Sequence, residues 1–121
     1  MKFQPATPIL RIFDEAKARE FYVDLLEFSV VFEHRFGQNF PIYMGISRGD
    51  CRLHLSEHHG DCTPGSAVRI ETDDVHALRQ SVIAKDYKYA KPGVERQPWG
   101  SDDMSITDPF GNRLTFYTVV K

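Results

Sequence analysis

The amino-acid sequence predicts an α+β protein of two βαβββ modules, whose strands form a curved, mostly antiparallel sheet around a central hollow. Three observations carry that expectation. Two stretches with helical apolar spacing each follow an aspartate and a short strand-like run. Each is succeeded by strand-like runs joined by tight-turn residues. The whole order then occurs a second time, so the chain reads as an internal repeat.

Residues 6–13, Ala-Thr-Pro-Ile-Leu-Arg-Ile-Phe, read as the first strand. Asp14 then caps a helix that carries Ala18, Phe21, Tyr22, Leu25 and Leu26 on one face. Three strands follow, at 28–35, 41–47 and 51–56, the last two joined by Arg48-Gly-Asp. A segment rich in Gly, Pro and His, residues 57–65, leads to a strand at 67–71. Asp73 or Asp74 caps a second helix, with Val75, Leu78, Val82 and Ile83 on its apolar side. Tyr87-Lys-Tyr-Ala alternates as a strand does, and strands from Met104 and from Arg113 flank the turn Asp108-Pro-Phe-Gly. This partitions one domain, 1–121, into module one at about 5–57, a linker at about 58–65 and module two at about 66–120.

Aligned, the halves set Arg11-Ile12 against Arg69-Ile70, Asp14 against Asp73 and Phe28 against Tyr87, an offset of 58 to 59. Ile46 against Ile106 and Arg52-Leu53 against Arg113-Leu114 raise it to about 61. Either module alone leaves a sheet face uncovered, and a ligand is expected between two such faces. Gln97-Pro-Trp-Gly has no counterpart in module one, so the chain's single tryptophan, Trp99, is hard to assign to the shared fold.

Composition narrows the function. Hydrophobic residues make up 41% and charged residues 26%, and no apolar run nears the ~20 residues of a membrane span. A net charge of −2 provides no basic field for nucleic acid. Cys51 and Cys62 lack CxxC spacing and read as reduced thiols, and Met-Lys-Phe-Gln-Pro lacks the marks of a secretory leader, so a cytoplasmic location is expected.

Motifs for common chemistries are absent: GxSxG, HExxH, GxGxxG and the P-loop do not occur. Cys51 has no evident base partner and reads as an inert thiol. Asp73-Asp74 and Asp102-Asp103 read as cap and turn residues, since adjacent side chains on extended chain face opposite ways. His54, His58 and His59 do not suit one ion, because strand residues four apart stand about 13 Å from each other. His54 reads either as a polar group of a pocket or as an ordinary sheet histidine.

The chain resembles the vicinal oxygen chelate superfamily, which includes glyoxalase I, extradiol dioxygenases, fosfomycin-resistance enzymes and bleomycin-resistance proteins. Three segments carry the likeness: Ala6-Thr-Pro-Ile-Leu with Phe21-Tyr-Val-Asp-Leu-Leu-Glu-Phe28, Arg52-Leu-His-Leu-Ser56, and Gln97-Pro-Trp-Gly followed by Asp108-Pro-Phe-Gly-Asn-Arg-Leu. Pro-Trp-Gly and the Ala-x-Pro-x-Leu opening look most like the bleomycin-resistance branch. The resemblance implies a homodimer with crevices between subunits and room for exchange of the first strand, which the edge-favouring Pro8 suits. It also implies four metal-ligand positions, which fall here on Thr7, Ala67 or a neighbouring residue, His54 and Thr115; only His54 is a ligand type.

The expected function is therefore metal-free, cofactor-free capture of a small molecule, in the manner of proteins that sequester a bulky cationic aromatic drug such as bleomycin. No catalytic residue is assigned. Ligand-facing candidates are Trp99, Phe32, Phe36, Phe40, Tyr43, His54 and Asp102, with Asp103 beside it. Of these, Phe32 and Tyr43 read sooner as core than as ligand faces. A metal-dependent lyase or dioxygenase retaining His54, and a metabolite carrier or sensor of the same fold, remain as alternatives.

Overall fold

A computed structural model describes residues 1–121. Module one contains β1 (Ile9–Arg11), α1 (Glu15–Arg19) continuing into a π-helical segment (Glu20–Leu25), β2 (Ser29–His34), β3 (Tyr43–Arg48) and β4 (Cys51–Ser56). Module two contains β5 (Ala67–Glu71), α2 (Val75–Ala84), β6 (Val94–Arg96), β7 (Ser101–Thr107) and β8 (Arg113–Val119). Each module closes its own four-stranded sheet, ordered β1-β4-β3-β2 and β5-β8-β7-β6, with only the β1/β4 and β5/β8 pairs parallel.

Asp14 accepts from Lys17 N and Asp74 from Ala77 N, both at 3.0 Å, so the second cap is Asp74. Matching caps sit 60 residues apart (74 − 14), as do Ile46 and Ile106. Register then pairs Arg11, opposite Ser56, with Glu71, opposite Tyr117, which replaces the Arg11/Arg69 alignment. The strand expected at Tyr87–Ala90 is not there; β6 lies later, at Val94–Arg96. The chain leaves α2 through Asp86 at φ +50, and half-buried Tyr87 turns inward against Phe21. Its alternation records packing of one ring, not a strand.

Period-two alternation puts Met44, Ile46, Leu53 and Leu55 of the first sheet and Met104, Ile106, Leu114 and Phe116 of the second into one core. In the π-helical segment Leu26 N donates to Phe21 O, five residues back, at 3.1 Å. That wider turn brings Phe21, Tyr22, Leu25 and Leu26 inward together.

A buried polar cluster joins the modules. Tyr22 Oη donates to Asp108 Oδ2 at 2.6 Å, and Asp108 also accepts from Phe110 N, Asn112 N and Asn112 Nδ2, each at 2.8 Å. Asn112 Nδ2 further reaches Arg11 O at 2.8 Å. Thus the Asp108-Pro-Phe-Gly-Asn turn ties module two to the helix and first strand of module one. A hollow of about 700 Å³ opens at the module junction beside Phe28, Cys51, Ile70 and Leu78. None of the expected ligand residues lines it.

Candidate functional site

The core claims one face of each sheet, leaving the outer faces for other work. On sheet one, Phe32 lies opposite Gly45, and its ring crosses the space a Cβ there would need: a Cβ on Gly45 would stand 2.2 Å from Phe32 Cε1. The missing side chain lets the ring lie across the sheet. Phe32 stacks with Tyr43 at 6.2 Å and 16° between planes, and His54 meets both rings edge-on at 5.2 Å. Tyr43 Oη and His54 Nδ1 are 2.7 Å apart. Burial, then the charges of Asp61 and Cys62, raises the Tyr43 phenol above its ordinary range, so it stays protonated and can donate to Nδ1. With Tyr43 as donor, Nε2 of His54 carries the ring's N–H.

These three rings form an aromatic face with Phe32 still 41% exposed, so neither Phe32 nor Tyr43 belongs to the core. Exposed Phe36 extends the aromatic region, meeting His34 at 4.6 Å and His58 at 6.1 Å. Phe40 stands in the following turn, its N–H on Gly37 O, its carbonyl accepting from Arg35, and its ring exposed.

Trp99 belongs elsewhere. Gly100 N donates to Gln97 O at 3.1 Å and Gly100 adopts φ +93, so Gln97-Pro-Trp-Gly is the tight tip of the β6–β7 hairpin. Trp99 is 67% exposed there and borders a second pocket, about 430 Å³, on the outer face of sheet two. Asp102 and Asp103 lie within β7 rather than in a turn or cap, on opposite faces. Asp102 bonds Arg96 Nε and His76 Nε2; chiefly the Arg96 bond holds its carboxyl below the usual range. Its charge is thereby met inside the chain. Asp103 faces the pocket, accepting from Ser101 Oγ at 2.6 Å and Arg69 Nη1 at 3.0 Å. Alternation from Met104 could have separated the two aspartates, but only the sheet register shows which one meets Arg69.

The superfamily's metal can be tested against these residues. No three His, Cys, Asp or Glu side chains converge on one point. His54 is engaged with Tyr43, and the equivalent Thr115 places Oγ1 2.9 Å from Ser105 Oγ. The donor set does not fit a metal held as the superfamily's enzymes hold it. Both cysteines are free thiols, raised above their ordinary range first by burial, with Asp61 adding to the effect on Cys62.

Fold and site together define a paired-module α+β protein that shows one aromatic and one polar sheet face. The chain belongs to the glyoxalase superfamily: the family model described as "Glyoxalase superfamily protein" matches residues 1–121. Solved structures share the fold. A bleomycin-binding protein complexed with bleomycin is 24% identical, with 96% of this chain and 98% of that one covered at a TM-score of 0.72. The bleomycin resistance determinant encoded on transposon Tn5 is 22% identical, covering 97% and 98% at 0.73. TnmS3, an antibiotic binding protein from Streptomyces sp. CB03234, is 21% identical, covering 98% and 98% at 0.73. No curated protein matches.

Proposed function

We propose that this protein sequesters a planar aromatic, bleomycin-like drug, holding it unmodified against the aromatic face of sheet one. The observation that carries this reading is the Phe32–Tyr43–His54 cluster laid over Gly45, three exposed or half-exposed rings with no role in the core. Flat π faces stack planar rings and attract cations, each contact being worth about 0.5–1.5 kcal/mol beyond area burial. The named antibiotic binders among the fold neighbours support the ligand class.

Trp99 borders the sheet-two pocket, whose lining includes none of Phe32, Tyr43 and His54, so within one molecule that pocket and the aromatic face do not share a lining. A homodimer in which sheet one of one copy meets sheet two of the other supplies the missing wall. Free thiols accord with the cytoplasm as the place of capture. Calorimetric titration with bleomycin tests the reading. Stoichiometric binding that weakens about tenfold in Phe32→Ala is expected; absence of heat at micromolar drug, with the protein folded and dimeric, would sink it.

A further inference from the structure

The two modules close the junction between them unequally. Five residues, 108–112, turn β7 into β8, whereas Gly49 and Asp50 alone turn β3 into β4. The longer turn reaches across the junction: Phe110 packs on Phe13 with ring centroids 6.2 Å apart, and Asn112 Nδ2 donates to Arg11 O at 2.8 Å. Pairing of Ile46 with Leu53 and of Ile106 with Leu114 makes Cys51 the counterpart of Asn112. The spacing of the two helix caps makes Asp73 the counterpart of Phe13, as it makes Glu71 that of Arg11. A free, half-buried thiol thus stands where an amide bridges, an aspartate stands where a ring packs, and the short turn supplies no counterpart of Phe110. The hollow of about 700 Å³ lies there, with Cys51, Glu71 and Asp73 in its lining.

That lining has two parts. Leu26, Phe28, Ile70 and Leu78 make an apolar floor that is core or packs against it. Around it stand four carboxylates, those of Asp50, Glu71, Asp73 and Asp74, and one arginine, Arg48, whose Nη1 donates to Leu26 O at 2.9 Å. Asp74 is engaged with Ala77 N as the α2 cap, so the helix end has its own acceptor and does not call for an anion. Asp50, Glu71 and Asp73 form no ion pair within the chain, and Asp73 meets only the Thr72 hydroxyl, at 3.5 Å. The filled side of the junction shows what shape completes the open one: a ring, as Phe110 supplies, and an N–H donor, as Asn112 supplies. The carboxylates add a demand for positive charge. An aromatic ring carrying an ammonium on a short chain meets all three requirements, since the ring covers the apolar floor and the ammonium donates to carboxylates and a carbonyl.

We propose that the junction hollow binds a small arylalkylammonium ion, its ring on Leu26, Phe28, Ile70 and Leu78 and its charge among Asp50, Glu71 and Asp73. The hollow shares no lining residue with the pocket beside Trp99, and none of Phe32, Tyr43 and His54 lines it, so this site does not depend on drug capture. The test titrates 2-phenylethylammonium into the full chain, to about 20 mM because so small a ligand binds weakly. The readouts are the backbone amides of Cys51, Ile70 and Leu78 in ¹H–¹⁵N spectra. Saturable shifts are expected there, with 2-phenylethanol and phenylacetate, the neutral and anionic counterparts, binding about tenfold more weakly. The exposed substitutions Asp50→Asn and Glu71→Gln, combined, should weaken the ammonium about tenfold. The proposal is overturned if the shifts do not saturate, if the alcohol binds as tightly as the ammonium, or if the double variant binds as wild type does. Shifts centred on Phe32, Tyr43 and His54 would overturn it as well. Bleomycin binding is read at those three residues, so drug capture and this site can each fail alone.

Discussion

Replacing Tyr22 by phenylalanine removes one oxygen from a fully buried side chain and cuts the bond that joins the first helix to the Asp108 turn. A hydrogen bond to a charged group contributes about 1.5–3 kcal/mol. Asp108 keeps three donors from Phe110 and Asn112, so its carboxylate is not stranded and the loss falls in the lower half of that range, about 2 kcal/mol. At about 4 °C per kcal/mol for a domain of this size, Tm drops by about 8 °C at pH 7. Burial, then the charge of Asp108, raises the Tyr22 phenol well above its ordinary 10.0. Below pH 10 both folded and unfolded states hold that proton; above it the unfolded state releases the proton first, so stability falls as pH rises. The slope from this group approaches 1.4 kcal/mol per pH unit, to order of magnitude. Phenylalanine lacks it, so the stability gap between wild type and Tyr22→Phe narrows above pH 10. Thermal unfolding followed by near-ultraviolet circular dichroism measures both effects. A Tm within about 2 °C of wild type at pH 7, or a gap that stays constant from pH 9 to 11, would show that the Tyr22–Asp108 bond does not join the modules in this way.

Other perturbations address other links. Gly45→Ala places a Cβ inside the Phe32 ring and forces it off the sheet; drug affinity should fall about as far as in Phe32→Ala, with Tm changed little because the ring lies outside the core. Equal affinity to wild type would show that the ring's position is unimportant. Asp74→Ala removes the α2 cap and should cost about 1 kcal/mol in urea unfolding, whereas Asp73→Ala should cost far less. The reverse order would restore Asp73 as the cap.

Much of the fold was legible because local chemistry agrees with it. The first helix cap, the β3–β4 turn at Gly49 (φ +58) and the limits of β4 and β5 follow from residue type and alternation, whereas the second cap stood open between Asp73 and Asp74 until the Ala77 N bond decided it. Tyr87 misled because a ring half-buried against Phe21 imitates a strand's inward residue. The site was less legible for a related reason. Alternation sorts a strand's side chains into two sets, but which set meets the core depends on partners distant in sequence. Phe32 and Tyr43 read sooner as core, and that reading fails because the β2–β3 register sets Phe32 across Gly45, outside the core. A glycine inside an alternating strand was the available clue. Trp99, unmatched in the repeat, did mark an exposed feature, but beside polar side chains instead of the other aromatic candidates.

Drug capture as described here requires that the aromatic face of sheet one receive the ligand. Chemical-shift mapping of the protein during a bleomycin titration locates that contact. The largest perturbations are expected at Phe32, Gly45, Tyr43 and His54, with the pattern lost in Phe32→Ala. Perturbations centred instead on Cys51, Ile70 and Leu78 would place the ligand in the junction hollow and contradict it.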